Sequence, residues 1–235
     1  MNLEANLEQV RAEYLRRTST GKGSLLHQVE HHVTARMGKM LRPRLLLAAA
    51  ATLGNDVLNS RRTLLLAVAV ETLHNASLLH DDVIDNDQQR RGQPSVNARW
   101  GNTTAVLVGD YLLAQIMALL DEVDDRDATR RINQTVIAMT EAELLAQSMA
   151  SDQWSADTYL HIIDGKTARL FATSCALGNP DYEQFGLHYG RLFQLRDDLA
   201  DNEATPFTAN LISKEESILA AIKPSFQIQN NIITL

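Results

Sequence analysis

The stretch 60–85 constrains the fold more than any other part of this sequence. It is long enough for roughly seven helical turns, and its apolar residues point in nearly all directions: Leu64, Leu65, Leu66, Val68, Val70 and Leu73. A helix that is apolar all round has to be covered by neighbouring elements. We therefore predict a central, buried helix here, with Asn59 or Ser60 as its N-cap.

The rest of the chain also favours helices. Only 11 Gly and 5 Pro occur in 235 residues, fewer than average usage, and apolar residues recur at helical spacing. We predict an all-α protein in which residues 1–235 form a single domain. The predicted helices cover about 2–17, 26–37, 43–53, 60–85, 103–120, 128–150, 154–176 and 182–203.

Composition excludes several classes of protein. The net charge of −7 and the lack of a basic tract argue against nucleic acid as a partner. A single cysteine, Cys175, cannot form an internal disulfide and suits a reducing cytoplasm. The N-terminus has no secretory signal pattern, and the longest unbroken apolar runs, such as 45–51 and 64–70, are too short to span a membrane. These features predict a cytoplasmic protein without a membrane span.

An acidic motif ends the central helix and then returns later in the chain. Both copies read Asp-Asp-x-x-Asp, and their residues are Asp81, Asp82 and Asp85, then Asp197, Asp198 and Asp201. Residues four apart share a helix face, so each copy directs two carboxylates one way. One such motif alone is more simply a solvated acidic helix end. Its repetition favours a function.

Metal binding explains the acidic motifs best. Carboxylates near a helix C-terminus face the negative end of the helix dipole and repel one another. A divalent cation removes that repulsion, and Mg²⁺ is typically held by one or two carboxylates together with phosphate oxygens of a substrate. We therefore predict that two facing motifs bind several Mg²⁺ ions on one diphosphate.

Cationic and polar residues accompany both motifs. Arg90 and Arg91 follow the first motif in a predicted loop, where they either balance its charge or clamp anionic oxygens. His74 lies two helical turns before Asp81 and is either a hydrogen-bonded core residue or a ligand group. Lys39 and Arg42 are three apart and either face together or are two surface cations. Lys166 and Thr167 follow a predicted helix break at 164–165, and Gln194 lies three residues before Asp197.

Several segments together resemble one protein family. They are Gly38-Lys39, Arg42-Pro43, Leu79-His80-Asp81-Asp82-Val83-Ile84-Asp85, Arg90-Arg91-Gly92, Gly109-Asp110-Tyr111, Lys166-Thr167 and Phe193-Gln194-Leu195-Arg196-Asp197-Asp198. In order and spacing, residues 35–205 resemble the trans-prenyltransferases, the short- to long-chain polyprenyl diphosphate synthases. The resemblance implies an all-α, isoprenoid-synthase-type helical bundle with a deep central cavity, and a homodimer.

The resemblance also assigns residues to roles. It implies three Mg²⁺ ions, with ligands Asp81, Asp85, Asp197 and the supporting Asp201. Asp82, Asp198 and Lys166 complete the catalytic set. The allylic diphosphate would be held by Arg90, Lys166, Thr167 and Gln194. Isopentenyl diphosphate would be held by Lys39, Arg42, His74 and Arg91.

Product length is predicted from two residues before the first motif. Ala76 and Ser77 lie about 6–7.5 Å up the helix axis from Asp81. Bulky aromatic residues at these positions stop growth early in the family, and both residues here are small. We therefore expect a polyprenyl diphosphate longer than C15.

One departure from the family pattern follows the second motif. The family supplies further lysines there, whereas residues 202–213 contain none, and Lys214 and Lys223 do not match the expected spacing. The chain after Asp201 is also shorter than in the family. This predicts an allylic site that is weaker, more open or completed by a partner chain.

Three other functions remain open. A non-catalytic partner subunit of a two-component prenyl synthase would have the same fold, although such subunits commonly lose their aspartates. A terpene cyclase-like enzyme would use the same metal chemistry without an isopentenyl diphosphate pocket. A metal phosphohydrolase could be built from His31 or His32 with His80 and Asp81, but it leaves the second motif unexplained.

Overall fold

Helices form nearly all regular structure in the computed structural model, which describes residues 3–18, 21 and 23–222. The helices are α1 (Leu3–Thr18), α2 (Leu25–Ala35), α3 (Leu41–Ala51), α4 (Asn55–Leu58), α5 (Arg61–Ile84), α6 (Val96–Trp100), α7 (Asn102–Val123), α8 (Arg126–Ser148), α9 (Ala156–Ile163), α10 (Arg169–Gly178), α11 (Glu183–Ala200) and α12 (Thr208–Ile222). A π-helix, Asp164–Ala168, joins α9 to α10, and 3₁₀ turns cover Ser151–Gln153 and Pro180–Tyr182. The strands β1 (Gln89–Arg90) and β2 (Gln93–Pro94) form one antiparallel hairpin. The fold class is all-α, as predicted.

The chain divides into two compact units. Unit 1 comprises Met1–Leu47 and Leu58–Asp125, and unit 2 comprises Ala48–Val57 and Arg126–Leu235. That residues 1–235 act as a single prenyltransferase domain stays a prediction.

Unit 1 is organised around α5. The side chain of Ser60 accepts a hydrogen bond from the N–H of Thr63, which caps the helix where the sequence predicted it. Helices α1, α6 and α7 pack against α5, and α7 makes the most extensive contact. Leu65–Val70 are all buried, so α5 is covered on every side as its composition requires.

Unit 2 is organised around α11 and the interrupted helix from α9 to α10. Ser155 caps α9 by accepting from the N–H of Thr158. Two glycines allow α11 to approach closely, because a Cβ on Gly186 would lie 2.6 Å from the carbonyl oxygen of Phe171 and one on Gly190 would lie 2.6 Å from Cα of Ala168. The π-helix and α10 therefore pack tightly on α11.

Several boundaries differ from the sequence prediction. The helix α8 begins at Arg126, two residues before the predicted start, so that Asp127 lies in its first turn and binds Arg130 and Arg131. The stretch after Asp201, where no helix was predicted, contains the additional helix α12. Lys214 is exposed on α12, whereas Lys223 lies outside the described residues.

One of the helices in the described part of the chain is long and apolar enough to cross a membrane. This helix is α7, and 39% of its most apolar window is buried inside the protein. Val108, Leu112 and Ile116 form part of its buried face, while Leu107 is 61% and Met117 71% exposed. The core helix of a water-soluble protein meets the same criterion. The absence of a membrane span stays a prediction.

Candidate active site

The first acidic motif occupies the C-terminal end of α5. The helix ends at Ile84, and the N–H of Asp85 donates to the carbonyl oxygen of Asp81 at 2.8 Å. Asp81 is partly exposed and Asp85 is exposed, whereas Asp82 is only 2% exposed. The two outer carboxylates are therefore accessible to a ligand, and the middle one lies inside unit 1.

Asp82 connects the end of α5 to the segment that follows. Nε of Arg90 donates to Oδ1 of Asp82 at 2.7 Å, and Nδ2 of Asn97 donates to the Asp82 carbonyl oxygen at 2.9 Å. Burial raises the pKa of Asp82, and the hydrogen bond and charge of Arg90 offset this only in part. Arg90 also donates to Asp87 at 2.8 Å. Asp82 thus holds Arg90 next to the first motif.

Arg90 and Arg91 lie on the β1–β2 hairpin, where the sequence predicted a loop. The two turn residues Arg91 and Gly92 have φ values of 53° and 72°, as in the type I′ turns that favour two-residue hairpins. A side chain from α2 anchors the hairpin, since Nε2 of His32 donates to the carbonyl oxygen of Pro94 at 2.8 Å. The placement of both arginines therefore depends on α2.

Three of the four residues predicted for isopentenyl diphosphate lie near one another in unit 1. Burial, followed by the charges of Arg42 and Arg91, lowers the pKa of His74 well below its usual value. The His74 ring is therefore neutral near pH 7. A Cβ on Gly38 would lie 3.1 Å from Nη2 of Arg91, so the glycine leaves room for this guanidinium. Lys39, the fourth residue, is exposed beside Gly38.

Glu71 belongs to the same region and was not predicted. It is 1% exposed, and its Oε2 has no hydrogen-bond partner among the described residues. Burial raises the pKa of Glu71, while the charges of Arg42, Arg91 and Arg11 lower it. The available signal was a carboxylate within the apolar part of the predicted central helix, three residues before His74.

The two predicted chain-length residues have different surroundings. Ala76 is 1% exposed inside an apolar cluster formed with Val29, Leu79, Val96, Ala105, Val108 and Leu112. Ser77 is partly exposed, and its hydroxyl donates to the carbonyl oxygen of His74 at 3.0 Å. Ala76 is therefore enclosed by apolar side chains, whereas Ser77 is only partly covered.

Gly109 and Asp110 hold the residue before the first motif. A Cβ on Gly109 would lie 2.2 Å from Nε2 of His80, so only glycine permits the ring to pack on this part of α7. Nε2 of His80 lies 3.4 Å from the carbonyl oxygen of Val106 and 3.5 Å from Oδ1 of Asp110. These contacts fix the end of α5 against α7.

The second acidic motif ends α11 in the same way. The N–H of Asp201 donates to the carbonyl oxygen of Asp197 at 2.9 Å, and both side chains are exposed. Burial and the negative charges of Asp201 and Asp198 raise the pKa of Asp197. The outer carboxylates of this motif are therefore accessible and repel each other.

Asp198, the middle residue, is 9% exposed, and each of its carboxylate oxygens accepts a hydrogen bond. It accepts hydrogen bonds from the hydroxyl of Tyr159 and from Nε2 of Gln194, the latter at 2.6 Å. Gln194 in turn accepts from the hydroxyl of Thr167 at 2.8 Å. Asp198 thus orients two of the residues predicted for the allylic diphosphate. Sequence reasoning missed Tyr159, and no signal in its own segment indicated it.

The π-helix carries Lys166 and Thr167. A Cβ on Gly165 would lie 2.3 Å from Cβ of Ala142, so the π-helix packs closely on α8. Nζ of Lys166 lies 2.5 Å from Oε2 of Glu143 on α8. The widened turn lies where the sequence predicted a kink at Asp164-Gly165, and π-turns inside α-helices are frequent at functional sites.

The donor chemistry of both motifs fits Mg²⁺. Asp81 and Asp85 in unit 1, and Asp197 and Asp201 in unit 2, offer hard carboxylate oxygens of the kind that Mg²⁺ prefers. In the part of the chain that the structure describes, no three His, Cys, Asp or Glu side chains converge on a ready metal site.

The family model for polyprenyl synthetase matches residues 23–215. This chain belongs to the polyprenyl synthetase family. The match includes both acidic motifs, the hairpin and the π-helix, so it covers every part of the candidate site described above.

Individual polyprenyl synthetases show the range of the family. The chain is 38% identical over 199 residues to an all-trans-nonaprenyl-diphosphate synthase (geranyl-diphosphate specific) of Rhodobacter capsulatus, covering 80% of this chain and 61% of that protein. It is 35% identical over 192 residues to a geranylgeranyl diphosphate synthase of Saccharolobus solfataricus, covering 74% of this chain and 57% of that protein. The chain thus spans about three fifths of the length of the curated relatives it matches.

A solved structure in the family has a similar fold. A polyprenyl synthase from Caulobacter crescentus CB15, complexed with calcium and isoprenyl diphosphate, matches with a TM-score of 0.78 and 33% identity. The match covers 83% of this chain and 62% of that one. The predicted isoprenoid-synthase-type fold is confirmed, and its deep central cavity stays a prediction.

Proposed function

We propose that this chain is a Mg²⁺-dependent polyprenyl diphosphate synthase. It condenses isopentenyl diphosphate with an allylic diphosphate, head to tail and in the trans configuration, to give a product longer than C15. The observation that carries this proposal is shared by both motifs. In each one a buried middle aspartate is tied to neighbouring side chains, which leaves the two outer carboxylates accessible.

The proposal assigns the metal ligands to those outer carboxylates. Asp81 and Asp85 would hold Mg²⁺ in unit 1 and Asp197 and Asp201 would do so in unit 2, with three ions in all. These ions would supply positive charge to the diphosphate oxygens on which negative charge gathers. Asp82 and Asp198 act by holding Arg90 and Gln194 beside the ligands.

Side chains of the protein also bind the allylic diphosphate. In unit 2, Lys166 and Gln194 donate hydrogen bonds to its oxygens, and Thr167, which donates its hydroxyl proton to Gln194, orients that amide. In unit 1, Arg90 is assigned to the same substrate. Donors already placed by other contacts need little reorganisation when charge develops, which is the main source of electrostatic catalysis. The Asp198–Gln194–Thr167 chain of hydrogen bonds supports such placement.

A separate set of residues positions the second substrate. Arg42, Arg91, neutral His74 and the exposed Lys39 hold the diphosphate of isopentenyl diphosphate, which keeps its double bond within reach of the allylic cation. Carbon–carbon bond formation leaves a cation that loses a proton, and the released diphosphate accepts it. The nearness of Arg42, His74 and Arg91 supports this set.

A direct assay tests the proposal. The protein is incubated with Mg²⁺, radiolabelled isopentenyl diphosphate, and geranyl, farnesyl or geranylgeranyl diphosphate in turn. Labelled chains longer than C15 support the proposal. A cyclised hydrocarbon would indicate a terpene cyclase, phosphate release a phosphohydrolase, and no reaction a non-catalytic subunit, and each of these three results contradicts it.

We also propose that the chain forms a homodimer in the cytoplasm. The exposed apolar side chains of α7, led by Leu107 and Met117, support a second copy packing there. Light scattering of the wild type and of Met117→Glu measures this. The proposal expects a dimer that the substitution dissociates, and a monomeric wild type would contradict it.

A further inference from the structure

A partly buried chain of ion pairs in unit 2 links α11 to the π-helix. Nε of Arg191 lies 2.5 Å from Oδ1 of Asp164, and Nη2 lies 2.7 Å from Oδ2. This is the bidentate arrangement in which both edges of guanidinium and carboxylate are matched, and it fixes direction as well as distance. The Arg191 side chain is 19% exposed and that of Asp164 26%. Solvent therefore screens this pair much less than a surface pair.

The other side of Arg191 is held by α12. Nη1 of Arg191 lies 3.4 Å from Oε1 of Glu215, whose side chain is 1% exposed. Nδ1 of His188, one turn earlier on α11, lies 2.6 Å from the other oxygen of Glu215. Arg191 therefore joins the π-helix, α11 and α12 through charged contacts.

Asp164 is the first residue of the π-helix, and Lys166 and Thr167 are its third and fourth. A π-turn is wider than an α-turn and is rare, so neighbouring groups have to stabilise it. Gly165 and Ala168 are fixed by close packing on α8 and α11. The Arg191 pair adds a directional contact at the start of the turn, where it orients the Asp164 side chain.

We infer that Arg191 is a positioning residue for the allylic diphosphate site, acting by holding Asp164 so that the π-helix presents Lys166 and Thr167. This inference rests on the proposed function for the roles of those two residues. Glu215 supports Arg191 from the opposite side, so that α12 contributes to the site without contacting the substrate.

Kinetics separate this positioning role from a general loss of packing. Arg191→Gln keeps much of the side-chain volume but removes both the positive charge and the bidentate hydrogen bonding of the guanidinium. We expect it to raise the KM for the allylic diphosphate about tenfold, because the π-helix that carries Lys166 and Thr167 loses its charge-assisted contact with α11. The KM for isopentenyl diphosphate should stay within twofold. Asp164→Asn should have the same effect, and the double variant should be no worse than either single one.

Arg131→Gln is the matched control. Arg131 is 24% exposed and links Asp127 to Glu183 at 2.9 and 2.8 Å, so it is a similarly shielded arginine in unit 2 that does not contact the π-helix. We expect it to leave both KM values unchanged. Arg191→Lys keeps the positive charge but cannot form the bidentate pair. Its KM for the allylic diphosphate should therefore lie between those of the wild type and Arg191→Gln.

Amide hydrogen exchange gives a readout that needs no activity. Exchange at residues 164–168 should become faster in Arg191→Gln and Asp164→Asn but not in Arg131→Gln. The unfolding midpoint of each variant is measured as well, so that global destabilisation can be recognised. Unchanged exchange there, or equal changes in both KM values, would overturn the inference. A wild type that does not elongate would defeat the proposed function alone, since the exchange experiment would still decide whether Arg191 orders the π-helix.

Discussion

Nζ of Lys166 lies 2.5 Å from Oε2 of Glu143, a contact that joins the π-helix to α8. Burial raises the pKa of Glu143, but the hydrogen bonds from Lys166 and Gln147 outweigh it and leave the pKa below its usual value. Glu143 is therefore ionised at neutral pH. The cation proposed for the allylic diphosphate is thus neutralised until a substrate competes for it.

Glu143→Gln should strengthen binding of the allylic diphosphate. Removing the competing carboxylate leaves Lys166 with a net charge for the substrate, and we expect the allylic KM to fall several-fold. Steady-state kinetics with the allylic substrate varied would measure this. Glu141→Gln, an exposed neighbour on the same helix, should change nothing. An allylic KM that rises in Glu143→Gln would show that Glu143 positions Lys166 instead of competing for it.

The outer and middle aspartates of the first motif should respond differently to substitution. Asp81→Asn should lower the rate of elongation by about 10²–10³-fold, because a group that stabilises the transition state electrostatically is lost. It should also raise the Mg²⁺ concentration needed for activity. The unfolding midpoint should not change. Asp82→Asn should instead lower stability by about 1–3 kcal/mol, since a buried partner of Arg90 loses its charge. Urea unfolding and Mg²⁺ titrations would compare them. Equal stability losses in both variants would contradict this division.

Phenylalanine should have opposite consequences at positions 76 and 77. Ala76→Phe overfills the apolar cluster and should cost about 1–3 kcal/mol of stability. Ser77 is partly exposed, so Ser77→Phe should fold normally and shorten the product. Chromatography of dephosphorylated products and thermal unfolding would test both, with Ser77→Ala as the control of unchanged product length. Products of wild-type length from Ser77→Phe would contradict the proposed growth path.

Glu71 should make stability depend on pH. Its carboxyl pKa is raised in the folded protein, so between the unfolded and folded values the folded state binds more protons, and stability falls as pH rises. Glu71→Gln removes this titration. The variant should therefore gain stability relative to wild type as pH increases from 4 to 8, as measured by urea midpoints. Thr72→Val, at an equally buried neighbour, should shift stability by a constant amount.

Local chemistry allowed much of the fold to be predicted. Ser60 and Ser155 cap their helices through hydrogen bonds to the third residue on, and this pattern is visible in sequence. The helix α12 was missed because its buried residues are Thr208, Leu211 and Glu215. Only one of these is apolar, so a search for apolar periodicity does not register the helix.

The arrangement within the site depended on distant partners. Both acidic motifs are visible in the sequence, but nothing in it distinguishes the buried middle aspartate from the two accessible outer ones. What distinguishes Asp198 from Asp197 is the hydroxyl of Tyr159, 39 residues away. Likewise, a kink at Asp164-Gly165 could be predicted, but its widening into a π-helix depends on contacts with α8 and α11. Such long-range pairings follow from tertiary packing and leave no local pattern.

The turn of the β1–β2 hairpin contains a strained backbone conformation that lowers stability. Arg91 adopts a left-handed backbone with φ of 53°, a conformation that costs a residue with a Cβ about 1–2 kcal/mol and that glycine or asparagine adopts more readily. Replacing Arg91 with glycine would relax the turn and make the fold more robust. The positive charge of Arg91 acts on His74 together with that of Arg42, and a glycine at this corner would lack it. Engineering for heat tolerance at this position would therefore remove a charge from the pocket proposed to hold the growing chain's next unit.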